Sequence, residues 1–412
     1  MKPPRIVLAG INYRPEVTGI APYNTQLAEH LAGEGNAVTV LTSPPWYPHW
    51  KIDAAYDRRR PFTVERVNGV RVVRSPLVLP GRRQTAPRRI LFDSSFAASS
   101  LLASLGAGGA DVVVCVSPPL QLGATCWLIA RARGARLITH LQDIVPDAAV
   151  STGMMRAGRA VAISRRLERF VYRHSDVVSV ISGGFRDNLL AKGVPAGKIR
   201  VLPNWIDASS FDVTPDPSVR TALGAPDGEM LVLHTGNMGA KQGLEVVVDA
   251  AAQLGEENIA ITLIGDGQSR ASLEERAART ANRHLKFLGL QDNLPATLAA
   301  ADVLVLSQRA QVTDSAAPSK LLSYMASGKP IVATVNDSSE AAHLIREAGC
   351  GVVVPPERPD RLAEALRELH RHPEEHAALG AAGRRHVAAH FDRAAILDRW
   401  SALLADLSRR TT

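Results

Sequence analysis

The feature that most constrains this chain is a rhythm. Short apolar runs of Val, Ile and Leu alternate with helix-forming stretches, and the pattern breaks once near the middle before starting afresh. Such alternation is the signature of parallel sheets built from βαβ units, because a parallel strand needs a crossover, usually a helix, to return the chain. The first half predicts strands at residues 6–9, 37–42, 70–74, 111–116, 136–140, 177–181 and 199–202. The second predicts them at 230–235, 260–264, 285–288, 303–306, 331–333 and 352–354. The break, residues 207–229, holds Pro215, Pro217, Gly224, Pro226 and Gly228 and keeps no apolar period, which predicts a linker between two domains. A length of 412 residues agrees with two cores. Beyond residue 354 the tail reads as helical, and its last stretch from Phe391 carries Trp400 at helical spacing, so it needs a surface to bury against.

Composition narrows the class of protein. With 46% hydrophobic and 21% charged residues the chain is neither disordered nor fibrous. Cys115, Cys126 and Cys350 are far apart and odd in number, which argues against both a zinc cluster and a disulfide framework and suits a reducing cytosol. The start, Met1 to Arg5, leads into a strand-like run without the apolar core of a signal peptide, and the uncharged stretch 94–110 is too short and weakly apolar to span a bilayer. A cytoplasmic protein is expected. The formal charge of +8 suits nucleic acid, an anionic membrane or a phosphorylated substrate alike. Aromatics are only 5% of the chain and do not interleave the basic residues as a nucleic-acid stacking platform would, so no nucleic-acid partner is expected.

The strand-to-helix loops suggest the ligand. After the first strand, Gly10 to Gly19 lacks the three closely spaced glycines of a dinucleotide fingerprint, the second strand ends without an acid, and no Gly-Lys-Ser/Thr loop occurs. Small-residue loops nevertheless open helices at Thr18-Gly19-Ile20-Ala21, at Gly236 to Gly243 and at Pro318-Ser319-Lys320. Free amides and the helix dipole make such places receptive to phosphate, and a lysine adds full charge. A glycine that only turns the chain is the better reading of any one of them alone, and it is their recurrence in both halves that points to a ligand. His140, at a strand's carboxyl end, can hydrogen-bond a ligand or accept a proton, and Asp266, Gly267 and Asn204 also follow strand ends, where a plain turn is the competing reading.

Segments along the whole chain resemble one family. They are Gly10-Ile11-Asn12-Tyr13-Arg14-Pro15-Glu16-Val17-Thr18-Gly19-Ile20, Thr42-Ser43-Pro44-Pro45-Trp46-Tyr47-Pro48, the run from His140 to Asp147, Pro203-Asn204-Trp205-Ile206-Asp207, His234-Thr235-Gly236-Asn237-Met238-Gly239, Ile264-Gly265-Asp266-Gly267 and Pro318-Ser319-Lys320-Leu321. In order and spacing they resemble glycosyltransferase family 4, and within it the colanic acid, exopolysaccharide and O-antigen biosynthesis subgroup. The resemblance implies an α/β GT-B fold: two Rossmann-like, doubly wound parallel-sheet domains facing a central cleft. It implies an acceptor-binding domain over 1–206, a nucleotide-sugar-binding domain over 230–390 and a last helix, 391–412, packing back on the first. The implied reaction is a retaining transfer from a UDP- or GDP-linked sugar to a saccharide or undecaprenyl-linked acceptor, with no metal and no other cofactor.

On this reading His140, Asp143 and Lys320 are catalytic. Gly19, Asn204, Gly236, Asn237, Gly239, Lys241, Asp266, Gly267, Leu288, Ser319 and Leu321 bind the donor. Two departures stand out. The wider family has a basic pair where this chain has Asn237 and Gln242, and a glutamate pair where it has Ser315 and Ser323. Lys320 therefore becomes the preferred diphosphate cation, with Lys241 second and Asp314 a replacement for a sugar-binding carboxylate. Arg82, Arg83, Arg88 and Arg89 before the apolar run at Ile90, with Arg156, Arg159, Arg165 and Arg166, read as a docking face for an anionic membrane or as a solvated charged face. A nucleotide-sugar epimerase or phosphorylase of the same fold, and a binding protein that has lost catalysis, remain open alternatives.

Overall fold

The computed structural model describes residues 3–47, 50–56, 61–81, 85–145, 147, 158–225, 228–255, 257–280, 284–312 and 319–409. It divides into two units, the first formed by residues 1–204 with 394–412 and the second by 205–393.

In the first unit eight strands form one sheet: β1 (Arg5–Ala9), β2 (Ala37–Thr42), β3 (Thr63–Val67), β4 (Val70–Arg74), β5 (Val112–Ser117), β6 (Arg136–Leu141), β7 (Val177–Val180) and β8 (Ile199–Val201). Their order is β3-β4-β2-β1-β5-β6-β7-β8, parallel except for β3. Central strands such as Val-Val-Val-Cys-Val-Ser are buried along their whole length, as expected where helices cover both faces. The one strand that the apolar rhythm does not predict is β3. Its sequence Thr-Val-Glu-Arg-Val alternates, and as an antiparallel edge strand it needs only one partner.

The second unit has six strands: β9 (Met230–Thr235), β10 (Ile259–Ile264), β11 (Leu285–Leu288), β12 (Val303–Ser307), β13 (Ile331–Thr334) and β14 (Gly351–Val354). All are parallel, in the order β11-β10-β9-β12-β13-β14. In both units the order runs outward in opposite directions from one strand pair, β1 and β5 in the first and β9 and β12 in the second. Sheets of this doubly wound kind bind ligands beyond the carboxyl ends of the strands at that switch point.

One expectation about boundaries changes. The segment 207–229 is not an unstructured linker: it carries a helix, Pro217–Ala222, and Phe211, Leu223 and Ala225 lie buried in the core of the second unit. Its prolines and glycines punctuate turns around these apolar residues. The final helix, Arg393–Arg409, buries Ile396, Leu397, Trp400, Leu404 and Leu407, and from Ala394 onward it belongs to the first unit. Among the described residues no helix is long and apolar enough to cross a membrane.

Candidate active site

In the second unit the switch point carries a partly buried cation, Lys320. Gly236 follows β9 with φ +113°, and a Cβ added there would come 3.3 Å from Lys320 Nζ. Lys320 sits in the first turn of the helix Ser319–Ala326, and its ammonium donates to His234 Nε2 at 3.3 Å. His234 is wholly buried within β9 and donates its Nδ1–H to the Val305 carbonyl at 3.1 Å, which fixes the tautomer and leaves Nε2 as acceptor. Burial, and then the charge of Lys320, holds His234 well below its ordinary pKa. Burial alone draws Lys320 down to about 8. One turn along the same helix, Tyr324 accepts the Thr235 N–H on its hydroxyl at 2.8 Å and ties the helix to the end of β9. Among the described residues no carboxylate pairs with Lys320. A desolvated ammonium without a counter-ion, beside a helix N-terminus, is a receptor for an anion.

Glycine is required where the loops cross. Gly265 has φ +146°, and a Cβ on it would lie 1.8 Å from the Gly236 carbonyl oxygen. Gly267, at φ +155°, would place one 2.5 Å from the Met238 oxygen. The loops leaving β9 and β10 thus pass backbone against backbone.

Other expected donor-binding residues are engaged locally. The Gly239 N–H, expected to face phosphate, instead donates to Gln242 Oε1 at 3.1 Å. Asp266 accepts the N–H of Gly267 at 2.7 Å, so its carboxylate stays in its own turn. Leu321 is buried in the core, so only its backbone can reach a ligand. The Leu288 carbonyl accepts the Gly265 N–H at 3.0 Å and serves to place that loop. Asn237 and Ser319 are exposed, as is Lys241 in the short turn Ala240–Gln242. Asp314, Ser315, Arg82, Arg83 and Arg156 lie outside the described residues.

The first unit holds a neutral network at the corresponding strand ends. His140, near the end of β6, engages both ring nitrogens. Its Nδ1 meets Ser179 Oγ at 2.9 Å, and its Nε2 meets the Gln142 amide nitrogen at 2.9 Å. Because Gln142 Nε2 can only donate, His140 Nε2 accepts and Nδ1 carries the proton. Gln142 and Asn204 exchange amide bonds at 2.7 and 2.9 Å. Trp400 of the last helix packs edge-on against the imidazole, with ring centroids 5.0 Å apart. Burial lowers the His140 pKa to about 3. Proton uptake by His140 is therefore disfavoured, and what remains of its expected role is hydrogen bonding and positioning. Asp143 is half-buried just after the same strand, and its charge helps to raise the pKa of the buried Tyr172, after burial and Glu168. Gly19 is exposed at φ +67°, and a Cβ there would lie 3.5 Å from the Tyr47 ring.

Three residues were given no role of their own by sequence reasoning, although His234 and Glu16 lie in segments that carry the family resemblance. His234 and Tyr324 hold Lys320 and its helix, and the first also stands out as a polar residue inside the apolar run Met-Leu-Val-Leu-His-Thr. Glu16 is buried and accepts the N–H groups of Trp46 and Tyr47 at 2.8 Å each, clamping the loop after β1 to the loop after β2.

Two doubly wound parallel-sheet α/β units define the GT-B class of fold. Comparison with known proteins places the chain more narrowly. The family described as "Glycosyl transferase 4-like domain" matches residues 18–205, and "Glycosyl transferases group 1" matches residues 216–386. WcaI of Escherichia coli (strain K12), named as a colanic acid biosynthesis glycosyl transferase, is 34% identical over 376 residues, covering 88% of this chain and 91% of its own. Among solved structures, sucrose-phosphate synthase from Thermosynechococcus elongatus matches with a TM-score of 0.75 at 21% identity, over 98% of this chain and 99% of its own. HepE of Anabaena in complex with UDP-glucose matches with a TM-score of 0.70 at 16% identity, over 98% of this chain and 100% of its own. The chain belongs to the glycosyltransferases, with a family 4-like domain followed by a group 1 domain.

Proposed function

We propose that this glycosyltransferase takes its sugar from a UDP- or GDP-linked donor held by the second unit and passes it, with retention of anomeric configuration, to a saccharide bound by the first. Lys320 carries the reading. Breaking a glycosyl–phosphate bond moves negative charge onto the departing diphosphate, and a pre-placed cation in a desolvated site stabilises that charge without reorganising. Lys320 supplies the cation, the first-turn amides of its helix supply partial positive charge, and the bare Cα of Gly236 gives a phosphate room beside the ammonium. His234 keeps the amine in place without sharing its charge. The scheme requires no metal. HepE in complex with UDP-glucose has the same fold, which favours a nucleotide sugar here.

The likeness to WcaI supports a place in surface polysaccharide biosynthesis, where the acceptor is lipid-linked through undecaprenyl and the enzyme works in the cytoplasm at the inner face of the plasma membrane. The first unit offers a surface for such docking. Helix Gln121–Arg133 packs against both helix Ala86–Ser104 and helix Arg159–His174. These flanking helices expose Ile90, Leu91 and Ile163, and the second exposes Arg165, Arg166 and Arg169. Arg89 is not available for lipid, because it pairs with Asp93 at 3.3 Å and lies over the Phe92 ring.

The test is an assay of the purified protein with UDP- and GDP-sugars and an undecaprenyl-linked saccharide in vesicles, reading nucleoside diphosphate release and product anomer by NMR. Release that depends on acceptor, with the donor's anomeric configuration kept, is expected. Release that ignores the acceptor, or an inverted product, contradicts the proposal.

A further inference from the structure

A cluster of metal-ligating side chains lies away from the sugar-transfer chemistry. His386 and His390 occupy positions i and i+4 on the helix His376–His390, so both rings project from one face, and their centroids are 4.5 Å apart. Glu347 comes from the neighbouring helix Glu340–Ala348, and its carboxylate and one nitrogen of each imidazole lie within 4.8 Å of one another. Among the described residues no lysine or arginine pairs with Glu347. Both helices end here, at Ala348 and His390, so two sets of terminal carbonyls direct partial negative charge at the cluster. A carboxylate in the last turn of a helix is unfavourable unless a cation offsets it.

We propose that Glu347, His386 and His390 bind one divalent transition-metal ion of the zinc class, clipping these two helices together. Two imidazoles and a carboxylate are a common three-ligand set for zinc, and a histidine pair four apart on a helix is the spacing that presents both nitrogens to one ion. The ion takes no part in the transfer. Helix Glu340–Ala348 runs from the carboxyl end of β13 to the amino end of β14, so Glu347 lies at the amino ends of the strands, whereas Lys320 lies at their carboxyl ends. It sits instead beside the stretch by which the chain leaves the second unit. Just after His390, the Phe391 carbonyl accepts the Ile206 N–H at 2.9 Å and the Arg393 N–H reaches the Ile206 carbonyl at 3.1 Å. The metal would fix that exit segment.

A second triad provides a control. His30, Glu34 and Asp398 also lie close together, but Ser401 already donates to Glu34 at 2.6 Å and meets His30 at 3.2 Å, so that group is spent on joining two helices. Untagged full-length protein is titrated with Zn2+ in a metal buffer, followed by calorimetry and by melting temperature, alongside His386→Ala, His390→Ala, Glu347→Gln and His30→Ala. One Zn2+ per chain is expected, with a rise in Tm on binding. Each of the first three substitutions should weaken binding by about 10-fold or more, and His30→Ala should leave it unchanged. Glu347 and His390 are exposed, so their variants fold and keep the test valid. Zn2+ binding that survives all three substitutions, or that is lost only in His30→Ala, overturns the proposal. Acceptor-dependent sugar transfer by Glu347→Gln without added metal should match the parent, so this outcome is separate from that of the transferase reading.

Discussion

Lys320 and His140 are the two residues whose titration matters most, and burial moves both downward. A lysine at about 8 is charged below that pH and neutral above it. If Lys320 meets the diphosphate as proposed, the free enzyme should therefore lose kcat/KM for the donor as pH rises through about 8, because the cation disappears. His140, at about 3, stays neutral throughout the working range and should contribute no acidic limb. A pH–rate profile with a fall near pH 6.5 that vanishes in His140→Gln would contradict this assignment. Stability has the opposite sign. Between about pH 3 and the ordinary histidine value near 6.5 the unfolded chain binds a proton at this position that the folded chain does not, so His140 makes the fold lose stability as pH falls through that window.

At the scale of elements, the last helix is the most informative. Its Trp400 is fully buried against His140, and Arg399 reaches the Val201 carbonyl, so the helix closes over the ends of β6 and β8. Trp400→Ala should cost about 3–5 kcal/mol, read from denaturant unfolding, because a buried indole leaves a cavity that the neighbours fill only partly. A loss below 1 kcal/mol would show that the helix is not held there. Each strand built from a continuous apolar run was legible in the sequence to within one residue, since a parallel strand covered on both faces needs such a run. What the sequence concealed depends on partners distant along the chain. Arg74 ends β4 and is buried, paired with Glu65 of the edge strand β3 at 2.7 Å and donating to the carbonyls of Ser43 and Arg14 in the loops after β2 and β1. Lys320 was legible as a cation, but its tether was not. Nothing local announces that His234, 86 residues away, accepts its hydrogen bond.

For the whole molecule, the two units repeat one construction and differ in what stands at the strand ends. In the first, the buried cation Arg74 is spent on Glu65 and backbone carbonyls, and His140 lies in a neutral network with Ser179, Gln142 and Asn204. In the second, Lys320 is partly buried, and among the described residues its side chain meets a neutral imidazole and no carboxylate. That asymmetry is why we propose the second unit as the place of the donor's diphosphate. The last test follows from it: calorimetry of UDP and GDP, each beside its monophosphate, with the parent protein and with Lys320→Ala. A hydrogen bond to a charged group contributes about 1.5–3 kcal/mol, so one diphosphate should bind the parent and lose roughly 10- to 100-fold in affinity on removal of the amine, with the monophosphate much less affected. A Lys320→Ala protein that binds the diphosphate as tightly as the parent would contradict the account.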